Sequence, residues 1–309
     1  MTQAPFFDDI ANAPKGGIAH WKTCKDGVRI RVATWKSGTK GTVLIFPGRT
    51  EYIEKYGPTI QSFVDRGYSV AAIDWRGQGL AERIAKNRQL GHVKHFHDYQ
   101  MDVSAMLEVV EEAGLPKPET LLAHSMGGNI ALRALHNGLD IKKVIFSAPM
   151  WGIYIAPALR VPAKLISTIG PRIGFSQKFS PNTRSENYVQ ICDFAENKLT
   201  NDKETYDWMI RQLDAHPELG IGGPSINWLH QAFLECAKLL MIPTPQQDCL
   251  CFLGSNEEIV HPRSLRHIMG KWENAELIDI QGAKHEPLMD GPEILNQVWG
   301  NIDRFLAVQ

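Results

Sequence analysis

Three residue types, spread far apart along the chain, have the makings of acyl-transfer chemistry: a serine at 125, a carboxylate near 257 and a histidine at 285. A serine hydroxyl is a weak nucleophile at neutral pH. It needs an imidazole to take its proton, and the imidazole needs an acid to fix its tautomer. Ser125 stands in Ala123-His124-Ser125-Met126-Gly127, between an apolar run, Thr120-Leu121-Leu122, and a stretch of helical periodicity. Small residues on either side of a serine permit a sharp strand-to-helix turn. Such a turn lifts the hydroxyl above the sheet and aims backbone N–H groups at a developing oxyanion. Alanine at position 123, where such turns usually carry glycine, is the mildest departure available. Taken alone, Ser125 also reads as an ordinary helix N-cap, so the rest of the chain must decide between the two.

Both partner positions are filled. Leu253-Gly254-Ser255-Asn256-Glu257-Glu258 follows a strand-like run and offers two adjacent carboxylates. Only one can face a histidine. The third residue after the glycine is the acid position in turns of this kind, which points to Glu257 and leaves Glu258 to solvent. Gln281-Gly282-Ala283-Lys284-His285-Glu286 follows the last strand and offers the imidazole. One of eleven histidines can also be an ordinary loop residue; its place behind a glycine and before a terminal helix favours the catalytic reading. An oxyanion hole needs two N–H donors. Met126 follows the serine and supplies one; Arg49, in Phe46-Pro47-Gly48-Arg49-Thr50 after an early strand, supplies the other. The Arg49 side chain has two open uses, facing a phosphate or pairing with Glu51 or Glu54.

These residues must be held by a scaffold, and the pattern specifies one. Residues 21–35 read as a β-hairpin around the Asp26-Gly27 turn. Thr42-Val43-Leu44-Ile45-Phe46, residues 68–73, the run into Ser125, residues 143–148, residues 248–253 and residues 277–280 read as strands. Helical spacing lies between them: around Ile60 and Phe63, from Tyr99 to near Gly114, after Ser125 to Gly138, over 226–240, and from Pro292 onward. Strands alternating with helices predict an α/β fold, a mostly parallel sheet covered by helices on both faces. The alternation stops after Pro149. Residues 151–224 carry Pro157, Pro162, Pro171 and Pro181 among helix-like apolar stretches, with eight basic and eight acidic residues. That segment predicts a helical cap, or lid, inserted in a core made of residues 1–150 and 225–309.

Composition bounds the rest. The chain has 309 residues, 43% hydrophobic and 22% charged, with 33 basic against 34 acidic residues. A net charge of −1 gives no field for nucleic acid, and no Lys/Arg run suggests a polybasic anchor. Five cysteines, an odd number in a large chain, argue against a disulfide framework; Cys249 and Cys251 fall on one face of a strand as core residues. The first residues lack the basic and apolar regions of a signal peptide, and no stretch is long enough to span a bilayer. A cytoplasmic protein is the expectation.

Four segments together resemble the α/β-hydrolase superfamily, and within it the bacterial lysophospholipase and monoacylglycerol lipase branch. They are Pro47-Gly48-Arg49-Thr50-Glu51, Asp74-Trp75-Arg76-Gly77-Gln78-Gly79, His124-Ser125-Met126-Gly127-Gly128 and Ile221-Gly222-Gly223-Pro224-Ser225. The resemblance runs from about residue 20 to the end and is weakest in the cap. It departs at Ala123, at Glu257 where aspartate is commoner, and at Leu80-Ala81 where a serine is frequent. It implies an α/β-hydrolase fold and hydrolysis of the acyl ester of a single-chain lipid through an acyl-enzyme, with Ser125, His285 and Glu257 as the triad and Arg49 and Met126 N–H groups at the oxyanion. It implies no metal and no cofactor. A small-lipid ester is the expected partner, with membrane contact no more than transient, since the cap's charges balance. Trp151 and Tyr154, with Ile153, Leu159 and Leu165, would line an acyl tunnel or else pack the cap on the core. A general carboxylesterase, a haloperoxidase, a carbon–carbon hydrolase and a catalytically silent binding protein share the same scaffold.

Overall fold

A computed structural model describes residues 1–307. Nine strands form one sheet in the order β1-β2-β3-β5-β4-β6-β7-β8-β9. They are β1 (Thr2–Gln3), β2 (Ile18–Thr23), β3 (Arg29–Trp35), β4 (Thr42–Phe46), β5 (Ser69–Asp74), β6 (Pro118–His124), β7 (Lys143–Ser147), β8 (Asp248–Gly254) and β9 (Ala275–Ile280). β1, β2 and β3 form an antiparallel edge, and from β5 to β9 all pairings are parallel. The hairpin and the six later strands occur where the sequence places them. β1 was not foreseen: two exposed residues have no periodicity to read.

Every residue of β4 and of β5 is buried, as expected of strands covered on both faces. Side chains alternate between two cores. Leu44, Phe46, Leu121, Val144, Phe146, Cys249 and Cys251 pack on one side; Val43, Ile45, Leu122, Ile145, Leu250 and Phe252 pack on the other. The two strand cysteines share a face, as the spacing predicts, and all five cysteines are free.

The helices are α1 (Asp8–Ala11), α2 (Gly57–Asp65), α3 (Tyr99–Glu112), α4 (Met126–His136), α5 (Pro157–Ile169), α6 (Tyr188–Ile191), α7 (Lys203–Ala215), α8 (Ile226–Leu239), α9 (Pro262–Met269) and α10 (Pro292–Ala307). α3, α4, α8 and α9 cover the first core through Met106, Ile130, Trp228 and Leu265; α2 and α10 cover the second through Phe63 and Val298. α9 escaped the sequence reading because it is short and mostly polar; His261 caps it by accepting from the Ser264 N–H.

Between β7 and β8 the chain makes a long excursion through α5, α6 and α7 before α8 returns to the core. Its acids lie on one side only. Residues 151–185 hold Arg160, Lys164, Arg172, Lys178 and Arg184 and no acid, whereas all eight acids lie within residues 186–218. α5 buries only Ser167. Leu159, Val161, Leu165, Ile166 and Ile169 on it are exposed, as are Ile173 and Phe175 just beyond. No described helix is long and apolar enough to cross a membrane.

Candidate active site

Parallel strands carry the key residues at their C-terminal ends, where an α/β sheet opens its ligand crevice. Ser125 directly follows β6. Its backbone lies at φ 48°, ψ −116°, a left-handed conformation rare for a side-chain-bearing residue. The turn is fixed by its N–H donating to the Ser147 carbonyl at 3.0 Å and by Gly128 N–H donating to the Ser125 carbonyl at 2.9 Å. Glycine is required at 127, since a Cβ there would collide with the Phe46 carbonyl.

His285 Nε2 lies 2.9 Å from Ser125 Oγ, and His285 Nδ1 lies 2.7 Å from Glu257 Oε2. The other Glu257 oxygen accepts the N–H groups of Ile259 at 2.6 Å and Val260 at 2.9 Å, which fixes the carboxylate. Glu258 points away and pairs with Lys198 at 2.8 Å. Burial alone would push the Glu257 carboxyl up, but His285 and the two N–H donors hold it below the usual range. Burial likewise opposes a charged imidazole at His285, and the facing Glu257 carboxylate outweighs it, so His285 titrates above its ordinary value. The set is thus a serine hydroxyl against a basic, oriented imidazole. Chemically it can abstract the hydroxyl proton and return it to a leaving group.

The second loop follows β4. Gly48 N–H donates to the Glu51 carboxylate. The Gln78 amide donates to the carbonyls of Gly48 at 2.7 Å and Glu51 at 3.2 Å. Trp75 Nε1 donates to the Pro47 carbonyl at 2.9 Å. Asp74 stays behind, accepting Arg31 Nε at 2.7 Å and the Leu80 N–H at 2.7 Å. The Asp74-to-Gly79 segment is therefore the clamp on the loop that carries Arg49. Met126 is the first residue of α4, where the N–H has no partner four residues back within the helix. Arg49 lines the same cavity as Ser125.

The Arg49 side chain makes neither of the ion pairs that the sequence offered. Glu51 pairs with Lys55 at 2.7 Å and Glu54 with Arg31 at 2.6 Å. The Arg49 guanidinium instead donates to the Gly222 carbonyl at 3.0 and 3.2 Å and lies 5.4 Å from the Trp228 ring centre.

Beneath the serine lies a charged cluster that sequence reasoning missed. Lys55 Nζ sits 2.7 Å from Glu51 and 2.8 Å from Glu286, all three side chains about 5% exposed. Tyr56 donates to Glu51 at 2.6 Å. The ring of His124 is 4.8 Å from that of His285; burial pulls it down to about 4 and keeps it neutral, and its Nδ1 lies 3.0 Å from the Ser147 carbonyl. Glu51, His124 and Glu286 have donor atoms within 4.8 Å of one another, a possible cation site, but the Lys55 ammonium already serves both carboxylates. Lys55 and Glu286 are separated by 231 positions; the only local signal was the i, i+4 spacing of Glu51 and Lys55.

A cavity of about 320 Å³ opens over Ser125. Its apolar wall comes from Val189, Leu199, Met209, Leu213 and Ile259, with Tyr188 beside them. The residues named from sequence for an acyl tunnel lie elsewhere. Trp151 is wholly buried in the core, 4.9 Å from the Phe146 ring, with its indole N–H on the Gly128 carbonyl at 3.1 Å. Tyr154 is 42% exposed and tied to Ile259 through its backbone N–H at 2.9 Å. Leu159 and Leu165 face solvent. Apolar side chains early in the excursion fill the core or stay outside, and the cavity is walled by the later part.

Known proteins agree with this architecture. Residues 37–292 match the Hydrolase_4 family, described as serine aminopeptidase, S33. A probable lysophospholipase L2 of Haemophilus influenzae is 29% identical over 276 residues, 89% of this chain and 86% of its own. Lysophospholipase L2 of Escherichia coli K12 is 30% identical over 258 residues, 80% of this chain and 75% of its own. Among solved structures, a soluble variant of the Saccharomyces cerevisiae monoglyceride lipase, in complex with a substrate analogue, aligns with a TM-score of 0.72 at 19% identity. It covers 93% of this chain and 94% of the yeast chain, a likeness of fold. With most of the molecule inside the matched span and the sheet order as described, this chain belongs to the Hydrolase_4 family of α/β hydrolases, similar in sequence to lysophospholipase L2 and in fold to a monoglyceride lipase.

Proposed function

We propose that this protein is a serine hydrolase that cleaves the acyl ester of a single-chain lipid, a lysophospholipid or a monoacylglycerol, through an acyl-enzyme. One observation carries the reading: Glu257, His285 and Ser125 form a continuous hydrogen-bonded chain of 2.7 and 2.9 Å under an apolar-walled cavity. Ser125 Oγ attacks the acyl carbonyl as His285 takes its proton, and Glu257 stabilises the imidazolium. The N–H groups of Met126 and Arg49 receive the oxyanion, each worth about 3 kcal/mol of barrier. His285 then protonates the departing glycerol oxygen. Water, deprotonated by the same histidine, releases the fatty acid and restores Ser125.

Four features support a single-chain lipid. The similar Escherichia coli protein is named a lysophospholipase, and the yeast protein that shares the fold is named a monoglyceride lipase. A cavity of about 320 Å³ lies at the small end of ligand sites and suits one chain better than two. Residues 151–224 serve as a cap, since Val189, Leu199, Met209 and Leu213 form the cavity's apolar wall. The outward apolar face of α5, amid cations and without an acid from 151 to 185, suits brief docking on an anionic bilayer, where such substrates reside.

The test is fatty-acid release from a lysophospholipid, a monoacylglycerol and a short-chain ester, with Ser125→Ala as control. Turnover of either long-chain lipid above the short ester, abolished in Ser125→Ala, is the expected result. Activity on the short ester alone makes this a general carboxylesterase. Activity on none makes it a silent member of the fold.

A further inference from the structure

Arg49 stands out among the partly or wholly buried arginines. Arg31 meets Glu54 and Asp74 at 2.6 and 2.7 Å, and Arg76 meets Asp26 and Asp102 at 2.6 and 2.8 Å. Arg83 lacks a carboxylate, but its donors are taken by the carbonyls of Ala81, Arg88, Glu218 and Gly220. Arg49 has one carbonyl, Gly222, and one ring face, Trp228. Among the described residues no carboxylate pairs with it. A guanidinium has five N–H donors, so most of its capacity is unspent. A cation partly withdrawn from water without a counter-charge is costly to keep. Burial draws it down to about 10, so it stays charged at neutral pH.

Its position gives that charge a use. Arg49 belongs to the wall of the Ser125 cavity and also to that of an adjoining cavity of about 380 Å³; Thr50 and Tyr188 are shared by both. Arg49, Thr50 and Tyr188 therefore stand where the two cavities adjoin. The outer cavity adds one cation, Arg184, and three exposed carboxylates, Glu186, Asp193 and Glu196. An anion is favoured beside Arg49 and disfavoured beside the three carboxylates.

We propose that the Arg49 side chain binds the phosphodiester of a lysophospholipid head group and makes this enzyme prefer a phosphorylated head over a bare glycerol. This rests on the single-chain lipid reading above and names the head group that reading leaves open. In the mechanism proposed above the backbone N–H of Arg49 faces the acyl carbonyl, and its guanidinium is at the far end of the same side chain. In the substrate, the phosphate lies one glycerol unit from the same carbonyl. Guanidinium geometry matches two phosphate oxygens at once, which the ammonium of a lysine does not.

The experiment uses the full chain with lysophosphatidylethanolamine and monoacylglycerol of the same acyl length. The readout is the ratio of their kcat/KM values in wild type, Arg49→Lys and Arg49→Gln. Loss of one charge-assisted contact should lower the ratio in Arg49→Gln by roughly tenfold, mainly through KM of the phosphorylated substrate, with partial recovery in Arg49→Lys. A ratio unchanged by Arg49→Gln overturns the proposal. A second measurement separates its failure from that of the lipid reading: inhibition of short neutral ester hydrolysis by glycerophosphoethanolamine. Competition in wild type, weakened about tenfold in Arg49→Gln, supports the phosphate site even where neither long-chain lipid is turned over. No competition in wild type overturns the site and leaves the hydrolase reading standing.

Discussion

The Gln78 side-chain amide donates to the carbonyl of Gly48 at 2.7 Å, and so a residue of the loop after β5 sets the conformation of the loop after β4. The same amide reaches the Glu51 carbonyl, and its oxygen accepts the Thr50 N–H at 3.4 Å. Arg49 is bracketed between these contacts. On the proposed mechanism, Gln78→Ala should therefore lower kcat more than it raises KM, because the Arg49 N–H assigned there to the oxyanion loses its fixed aim while the cavity walls stay. Leaving the buried Gly48 carbonyl unpaired also costs about 1–3 kcal/mol of stability. Steady-state kinetics on a short ester with urea unfolding checks both; an unchanged kcat would show that the loop is held without Gln78.

The pH dependence follows from His285. In the proposed mechanism its neutral form is the base, and its facing carboxylate raises its titration above the ordinary imidazole value of about 6.5. Activity therefore falls as pH drops through that raised value, and it is flat above it until another group titrates. Glu257→Gln removes the charge that holds His285 up, so the acid limb must move to lower pH. The plateau should drop by a factor of about 10⁴, since an amide does not fix the needed tautomer. A pH–kcat/KM profile of both proteins tests this. An acid limb that stays put in Glu257→Gln would mean that another group governs it.

The sequence told more about the sheet than about what lies above it. β4 to β8 are largely buried runs, and their places along the chain and the turn at Ser125 follow from local pattern. Glu257 was preferred to Glu258 on its distance from Gly254, and it is Glu257 that faces His285 while Glu258 pairs with Lys198. The environment of Arg49 was not legible: its true partner, Gly222, is 173 positions away and offers a carbonyl, which no side-chain pattern announces. Glu51 and Glu54 looked available because the lysine and arginine that claim them carry no mark of doing so. Trp151 misled because an aromatic just past a strand end fits a pocket wall or a core equally well. Only packing against Phe146 and the Gly128 carbonyl distinguishes the two.

Lys55 holds two buried carboxylates, Glu51 and Glu286, beside the site. Lys55→Met keeps most of the volume and removes the charge, leaving two anions in a dry pocket. The loss should be about 3–5 kcal/mol in urea unfolding at neutral pH. Removing the ammonium raises both carboxyls toward protonation, and a protonated pair is no longer charged. The deficit relative to wild type must therefore shrink as pH falls. A deficit constant from neutral to acidic pH would place its origin in lost packing rather than in stranded charge.

The exposed apolar stripe of α5 gives the last prediction. Val161, Leu165 and Ile169 follow one another at four-residue spacing and are 69%, 54% and 49% exposed. They share one side of the helix, with Arg160 and Lys164 on the same helix and no acid within residues 151–185. Such a face gains from apolar insertion and from anionic head groups together. Sedimentation with vesicles should show binding that strengthens with phosphatidylglycerol content and weakens with salt. Val161→Asp combined with Ile169→Asp should abolish it, whereas Ser125→Ala should bind as wild type does. These side chains face water, so the double variant keeps the wild-type unfolding midpoint, which rules out misfolding as the cause. Binding indifferent to lipid charge would remove the cations from the account, and binding that survives both aspartates would remove the helix.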